Sequence, residues 1–253
     1  MNILENSEAF IEENGDLIFD HTKIILQRNN DEYFYTTTKQ RFSASSQIDF
    51  SGMNLIQIPV DDIWPIYNSK FTQAPDPLPP NTYVKQPSLL YYGDTAASFK
   101  LSSQILNEAE VCEILINHPH RNIAQYIGCI VQNGRIRGLC FKKYLLSLTQ
   151  RLQDATPFDK GSCLQGIKEG VNHLHNLGLI HNDLKPPNIM IDGDNPIIID
   201  FDSCKRLGEK LGAKAGTIGW TIVGSEYATL ENDLFGISKL QDFLKVDCGK
   251  NVS

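Results

Sequence analysis

Residues 180–202 read IHNDLKPPNIMIDGDNPIIIDFD. Two short apolar runs, Asn188 to Asp192 and Pro196 to Ile199, flank Gly193, Asp194 and Asn195, which predicts two strands joined by a tight turn. Such a hairpin folds the chain back on itself and brings Asn188 beside Asp200. Asp183, Lys185, Asn188 and Asp200 are then expected to converge on one place.

That set of side chains suits phosphoryl transfer from a nucleotide. The transition state spreads negative charge over phosphate oxygens and is served mainly by positioning and fixed charges. On this reading Asp183 orients an acceptor hydroxyl and takes its proton, while Lys185 reaches the transferring phosphate. Asn188 and Asp200 would hold Mg2+, a hard cation that prefers oxygen ligands and shares them with substrate phosphates. The expected cofactors are ATP and Mg2+.

HNDLKPPN stands where H-R-D-L-x-x-x-N is expected and DFD stands for D-F-G, so the stretch resembles the protein kinase family. The resemblance implies an α+β, protein-kinase-like bilobal fold with a small β-rich N-lobe and a mostly helical C-lobe. The lysine in DLKP is the form seen in Ser/Thr kinases, implying transfer to protein Ser/Thr hydroxyls. Two departures stand out. Asn182 replaces the usual arginine, which argues against an activation loop switched on by pairing a phosphate with that arginine. Asp202 replaces the glycine after Asp-Phe, which stiffens that hinge.

The same resemblance assigns further residues. Lys100, in ASFKLS, sits where the family places the strand lysine that contacts the nucleotide's phosphates, with strands expected over Ser88 to Tyr92 and Ala96 to Leu101. A helix predicted from Ser103 to Asn117 offers Glu108, Glu110 and Glu113 as its partner. Glu110 is favoured because Ile114, one turn on, would turn it inward if buried. Phe141, in a strand predicted from Ile136 to Tyr144, is expected to wall the adenine pocket. GTIGW resembles the peptide-docking segment, with Thr217 reaching Asp183 and Lys185. Asp233 matches the helix aspartate that braces the catalytic loop.

The glycine-rich phosphate loop has no counterpart, since Gly93 is the one glycine between Asn81 and Lys100. Without glycines, backbone N–H groups cannot approach phosphates as closely. A pseudokinase or interaction module is therefore the alternative reading. IIIDFD also resembles small-molecule phosphotransferases of the aminoglycoside or choline kinase type, a second alternative.

The remaining chain divides around this centre. Leu164, Ile167, Val171 and Leu174 form one stripe of a helix predicted from Pro157 to Leu177 and capped by Gly178. ENDLFGISKLQDFLK predicts an amphipathic helix with Leu234, Ile237, Leu240 and Leu244 on its apolar face. The chain stops soon afterwards, so a C-lobe truncated after an αF-like helix is expected, covered by residues 1 to 70 or by a protein partner. Three regions follow: an N-terminal extension over 1–78, an N-lobe over 79–141 and a partial C-lobe over 142–253. In the extension, Asp16 to Phe19, Lys23 to Gln27 and Glu32 to Thr38 read as strands, and Pro75, Pro77, Pro79 and Pro80 mark a boundary whose lead-in resembles kinase-like proteins of filamentous fungi.

Composition narrows the setting. The 253 residues are 41% hydrophobic and 21% charged, enough for a substantial core. A net charge of −7 and the lack of a basic run argue against a nucleic-acid partner. Six dispersed cysteines without a C-x-x-C pair read as buried thiols of a reducing compartment. His118 and His120 beside Pro119 read as structural groups, not metal ligands. No signal peptide or membrane span is evident, so an intracellular, cytoplasmic protein without membrane contact is expected.

Overall fold

Asn14 and Gly15 both adopt positive φ, 55° and 88°. An Asn-Gly turn of this kind matches the twist of two antiparallel strands. It joins β1 (Asn2–Glu13) to β2 (Asp16–Arg28), which pair along their length. β3 (Glu32–Thr38) and β4 (Ile56–Ile58) complete an antiparallel sheet in the order β1-β2-β3-β4, followed by the short helix α1 (Val60–Ile63). The two strands expected between Asp16 and Gln27 are one continuous strand. β1 gives no clear alternation of apolar and polar residues, and only its partner reveals it. The computed structural model describes residues 1–29, 31–42, 49–94, 100–212 and 216–246.

The chain forms two compact units, the first being Met1–Ile66 with Gln86–Ser103. Ile24, Ile25 and Leu26 of β2 are completely buried and form its centre with Ile58 and Ile63. Side chains from the sheet hold the later segment. The Glu5 carboxylate accepts from the Leu89 N–H and the Ser88 hydroxyl, and Lys23 Nζ donates to the Tyr92 carbonyl and to Asp94. Ser88 to Tyr92 is consequently a loop tied by side chains, not the expected strand. Of its expected partner, Ala96 to Phe99 lie outside the described residues, and Leu101 already begins a helix. These ties also explain why the division does not coincide with cuts after residues 78 and 141.

The second unit is Tyr67–Lys85 with Gln104–Ser253. β5 (Thr82–Lys85) leads through the first unit to helix α2 (Leu101–Asn117), and β6 (Tyr126–Gln132) and β7 (Arg135–Lys142) follow. These strands form an antiparallel sheet in the order β5-β7-β6. β8 (Leu146–Ser147) runs into α3 (Leu148–Gln153), which opens with a Ser147–Gln150 capping box. Helix α4 (Lys160–Asn176) is capped by Asp159, whose carboxylate accepts from Ser162 N.

The α4 stripe Leu164, Ile167, Val171 and Leu174 is buried as expected, each side chain contributing roughly 1.5–3 kcal/mol. β9 (Leu179–Ile180), a 3-10 turn (Pro186–Asn188), β10 (Ile189–Asp192), β11 (Asn195–Ile198) and β12 (Lys205–Arg206) follow, with β10 and β11 forming the predicted hairpin. Helix α5 (Leu230–Leu244) buries Ile237, Leu240 and Leu244, whereas Leu234 is 55% exposed and does not belong to the buried face. A β-rich beginning and a helical later part agree with the α+β expectation. Among the described residues no helix is long and apolar enough to cross a membrane. Cys112, Cys129, Cys140, Cys163 and Cys204 are free and buried, as expected; Cys248 lies outside the described residues.

Candidate active site

The loop after β9 is held from beneath by one carboxylate. Asp233 of α5 is 0% exposed and accepts from the backbone N–H groups of His181 (2.9 Å) and Asn182 (2.8 Å) and from His175 Nε2 (2.9 Å). Buried N–H groups without ladder partners need such an acceptor, and bonds to a charged acceptor are the strong ones. His181 bridges onward. Its Nε2 donates to the Ile199 carbonyl (3.0 Å), its Nδ1 accepts from Asp183 N (3.3 Å), and its ring meets Phe201 edge-on. The expected role for His181, packing this loop onto the Asp200 segment, is the observed one.

This frame presents Asp183 with both carboxylate oxygens engaged. Oδ1 accepts from the Thr217 hydroxyl (2.7 Å); Oδ2 accepts from Lys185 Nζ (2.7 Å) and Asn188 Nδ2 (3.1 Å). Lys185 Nζ also donates to Thr217 Oγ1 at 2.5 Å, closing a three-membered arrangement. Gly216 makes the approach of Thr217 possible. At its φ of +88°, a Cβ would lie 2.5 Å from the Asn182 carbonyl oxygen and 2.2 Å from Thr221 Cγ2.

Asp200 follows β11 and meets a lysine from a different strand than expected. Lys85, the last residue of β5, donates to Asp200 Oδ1 (2.5 Å) and to both oxygens of Glu108 (2.8 and 2.7 Å), with Asp202 at 3.9 Å. Glu108 Oε1 also accepts from Phe201 N, so this carboxylate links helix α2, strand β5 and the Asp-Phe segment. Burial opposes the charge on Lys85, but Glu108, Asp200 and Asp202 outweigh it and hold the lysine above its ordinary range. Burial also raises Glu108, against the lowering effect of Lys85. The direction for Lys85 follows from three carboxylates gathered around one ammonium, and that for Glu108 first from its burial.

Lys85, Glu108 and Asp200 line a cavity of about 300 Å³ together with Tyr83, Phe141 and Tyr144. Phe141 is thus where the sequence reading expected a pocket wall. Lys100 and Glu110 are not. Lys100 directly precedes α2 instead of lying in a strand, and Glu110 pairs on the surface with Lys70. Glu113 accepts from Thr72. The pair that forms is Lys85–Glu108, because Glu108 shares the buried face of α2 with Ile105, Cys112 and Leu115, whereas Ile114 is only half-buried. That periodicity is legible in the sequence and singles out Glu108; nothing comparable marks the short strand TYVK.

The protein kinase domain family matches residues 94–237, more than half of the chain. The chain belongs to the protein kinase family. It is 30% identical over 122 residues to the serine/threonine-protein kinase/endoribonuclease IRE1 of Hypocrea jecorina, covering 40% of this chain and 10% of that protein. It is 34% identical over 85 residues to the cGMP-dependent protein kinase 2 of Rattus norvegicus (32% of this chain, 10% of that protein). Over 158 residues it is 28% identical to a G-type lectin S-receptor-like serine/threonine-protein kinase of Arabidopsis thaliana (53% and 19%). The chain therefore spans about a tenth to a fifth of these relatives. Lys85 lies before the matched residues.

Within the kinase fold, the two motif departures acquire partners. Asn182 (φ 64°) donates from Nδ2 to the carbonyls of Ile180 and Ser203 and accepts from Asn232 Nδ2, so an amide occupies a position where the family pattern has a cation. The Asp202 carbonyl accepts from Asn107 Nδ2, fixing it to α2. No glycine occurs from Met53 to Tyr92, and β7 is the only strand beside β5 among the described residues. His173 stacks on His120 and bonds to the His118 carbonyl, a structural cluster.

The donor set suits Mg2+. Asn188 commits its amide nitrogen to Asp183, which leaves its side-chain oxygen as an acceptor, and Asp200 supplies carboxylate oxygens. Among the described residues no cluster of three or more His, Cys, Asp or Glu could hold a metal alone. Ligands from a nucleotide and water would have to complete such a site, as is usual for this ion.

Proposed function

We propose that this chain binds ATP with Mg2+ and transfers a phosphoryl group to Ser/Thr hydroxyls of a protein substrate. The observation that carries the reading is the Asp183 carboxylate, fixed between Thr217 and Lys185 on a loop braced by Asp233. Such a carboxylate can accept a hydrogen bond from an acceptor hydroxyl and take its proton as transfer proceeds. Lys185 neutralises charge developing on the transferred group, and Lys85, oriented by Glu108, meets nucleotide phosphates. Phe141 and Tyr83 supply apolar surface for a purine. Mg2+, held by Asp200 and Asn188, would neutralise phosphate charge. Accepting it requires Asp200 to give up part of its bond to Lys85.

The test is thermal unfolding with and without ATP and Mg2+. A ligand at a hundredfold its dissociation constant stabilises by about 2.7 kcal/mol. Wild type should show a Mg2+-dependent rise that Lys85→Ala and Asp200→Ala lose. Asp183→Ala should keep it while reducing transfer to a peptide by roughly 10²–10⁴-fold. The missing glycines before β5 favour a second reading, an interaction module with weak or no catalysis; an absent rise at saturating ATP would select it. Faster transfer to small alcohols than to peptides would select the small-molecule phosphotransferase.

A further inference from the structure

Helix α2 brings Glu108 to Lys85, and its position is fixed by more than that ion pair. Five residues beyond Glu108, and therefore on another face of the helix at 100° per residue, Glu113 receives both polar hydrogens of Thr72. Oε1 accepts from Thr72 N at 2.7 Å and Oε2 from Thr72 Oγ1 at 2.8 Å. The segment bearing Thr72 is itself laid on β6. Cys129 N donates to the Thr72 carbonyl (2.7 Å), Ala74 N donates to the Cys129 carbonyl (2.9 Å), and Tyr67 N donates to Gly134 O (2.9 Å). Phe71, next to Thr72, is 3% exposed.

The contact with β6 is close enough to dictate a residue. Gly128 has φ +149°, and a Cβ there would stand 2.5 Å from Ala74 N and 2.8 Å from the Gln73 carbonyl carbon, so any side chain must push the segment away. Helix α2 is thus attached to the sheet twice: at β5 through Lys85–Glu108 and at the β6 edge through Thr72–Glu113. By contrast, the neighbouring Lys70–Glu110 pair is exposed on both sides and contributes little.

We propose that Tyr67–Ala74 is a built-in brace for α2, with Thr72, Glu113 and Gly128 as positioning residues that keep Glu108 on Lys85. The brace supplies, from within the chain, the orientation of α2 that the Lys85–Glu108 pair requires. Its functional consequence rests on the reading of Lys85 and Asp200 as nucleotide-binding residues.

Two measurements test the brace: hydrogen exchange of the α2 amides in the free protein, and the affinity for ATP with Mg2+. Glu113→Ala and Gly128→Ala, on different elements, should each accelerate exchange between Asn107 and Leu115 while α4 amides are unchanged. Each should weaken nucleotide binding by about tenfold, the size of a coupling between contacting groups. Thr72→Ala should fall between these variants and wild type, and Thr72→Ser, which keeps the hydroxyl, should restore wild-type behaviour. In a Glu108→Gln background, Glu113→Ala should cause no further loss of affinity. Unchanged α2 exchange in both Glu113→Ala and Gly128→Ala overturns the brace, as does full additivity with Glu108→Gln. If wild type binds no nucleotide, the catalytic reading falls while exchange still decides the brace; if Glu113→Ala does not fold, Gly128→Ala and the Thr72 pair decide it.

Discussion

Lys85 sets one ammonium against the carboxylates of Glu108, Asp200 and Asp202. A lysine ending a four-residue strand, behind a proline-rich segment and with no glycine loop to announce it, offers no local signal, so Lys100 in a more strand-like context drew the assignment. The nearness of Asn188 to the Asp200 segment was legible because a hairpin of fixed length joins them. The structural role of Lys85 can be tested through pH. Glu108 has a raised folded value, so the folded protein holds its proton more tightly than the unfolded chain does. Its contribution is full below the ordinary carboxylate range and is lost as pH rises through the raised value. Lys85 is raised above the ordinary lysine range, so its own contribution is full below that range and lost only in strong alkali. Replacing it with methionine removes the one charge that lowers Glu108, leaving a buried carboxylate that is harmless while protonated. Lys85→Met should therefore lose more stability at pH 8 than at pH 5, with a loss of about 3 kcal/mol at pH 8, the cost of an unpaired buried charge. A deficit equal at both pH values, by denaturant titration, would contradict the assignment, and Lys100→Met should show no such dependence.

At the scale of elements, the long periodic segments read true and the irregular ones did not. The stripe on α4 and the hairpin of β10 and β11 follow from spacing alone, because period and turn chemistry are local. α5 was found with one misplaced residue, Leu234, since its apolar face is chosen by what lies opposite it. The residue opposite is Leu184: a Cβ on Gly236 would stand 2.8 Å from Leu184 Cβ and 3.2 Å from its carbonyl oxygen, so the helix and the loop bearing Asp183 meet at a glycine. Overpacking of this kind costs about 1–3 kcal/mol. Gly236→Val should cost that much stability and also lower the rate of phosphoryl transfer at saturating nucleotide, because Leu184 adjoins Asp183. Nucleotide affinity should hold, as Lys85 and Phe141 lie on other elements. Asp233→Ala acts at the same junction more severely, removing the acceptor of three bonds at about 1.5–3 kcal/mol for each bond to a charged group. It should fail to accumulate as folded protein, while Asp233→Asn, which keeps one acceptor oxygen, should fold with a lower melting temperature.

For the whole molecule, the informative fact is that the first unit is discontinuous in sequence. Gln86–Ser103 connects β5 to α2 in the chain yet belongs with the N-terminal sheet. No periodicity could show this, because the ties are single side chains far apart in sequence: Glu5 to Leu89, Lys23 to Tyr92 and Asp94, Asp62 to the Tyr92 hydroxyl. Lys23 is the sharpest of them, a lysine only 6% exposed whose ammonium also lies over the Tyr35 ring. Its loss leaves the Tyr92 carbonyl and Asp94 without their cation, at a cost of about 1–3 kcal/mol. If the two units are separate cooperative bodies, that cost falls on one of them. Lys23→Met should accelerate hydrogen exchange at Tyr92 N, which donates to Leu89 O, and along β2, while the amides of Ile167 and Leu174 in α4 keep their wild-type rates. Equal acceleration in β2 and α4 would mean that the chain unfolds as one body, and the N-terminal sheet would then be part of the kinase fold's own stability instead of a separate cooperative unit.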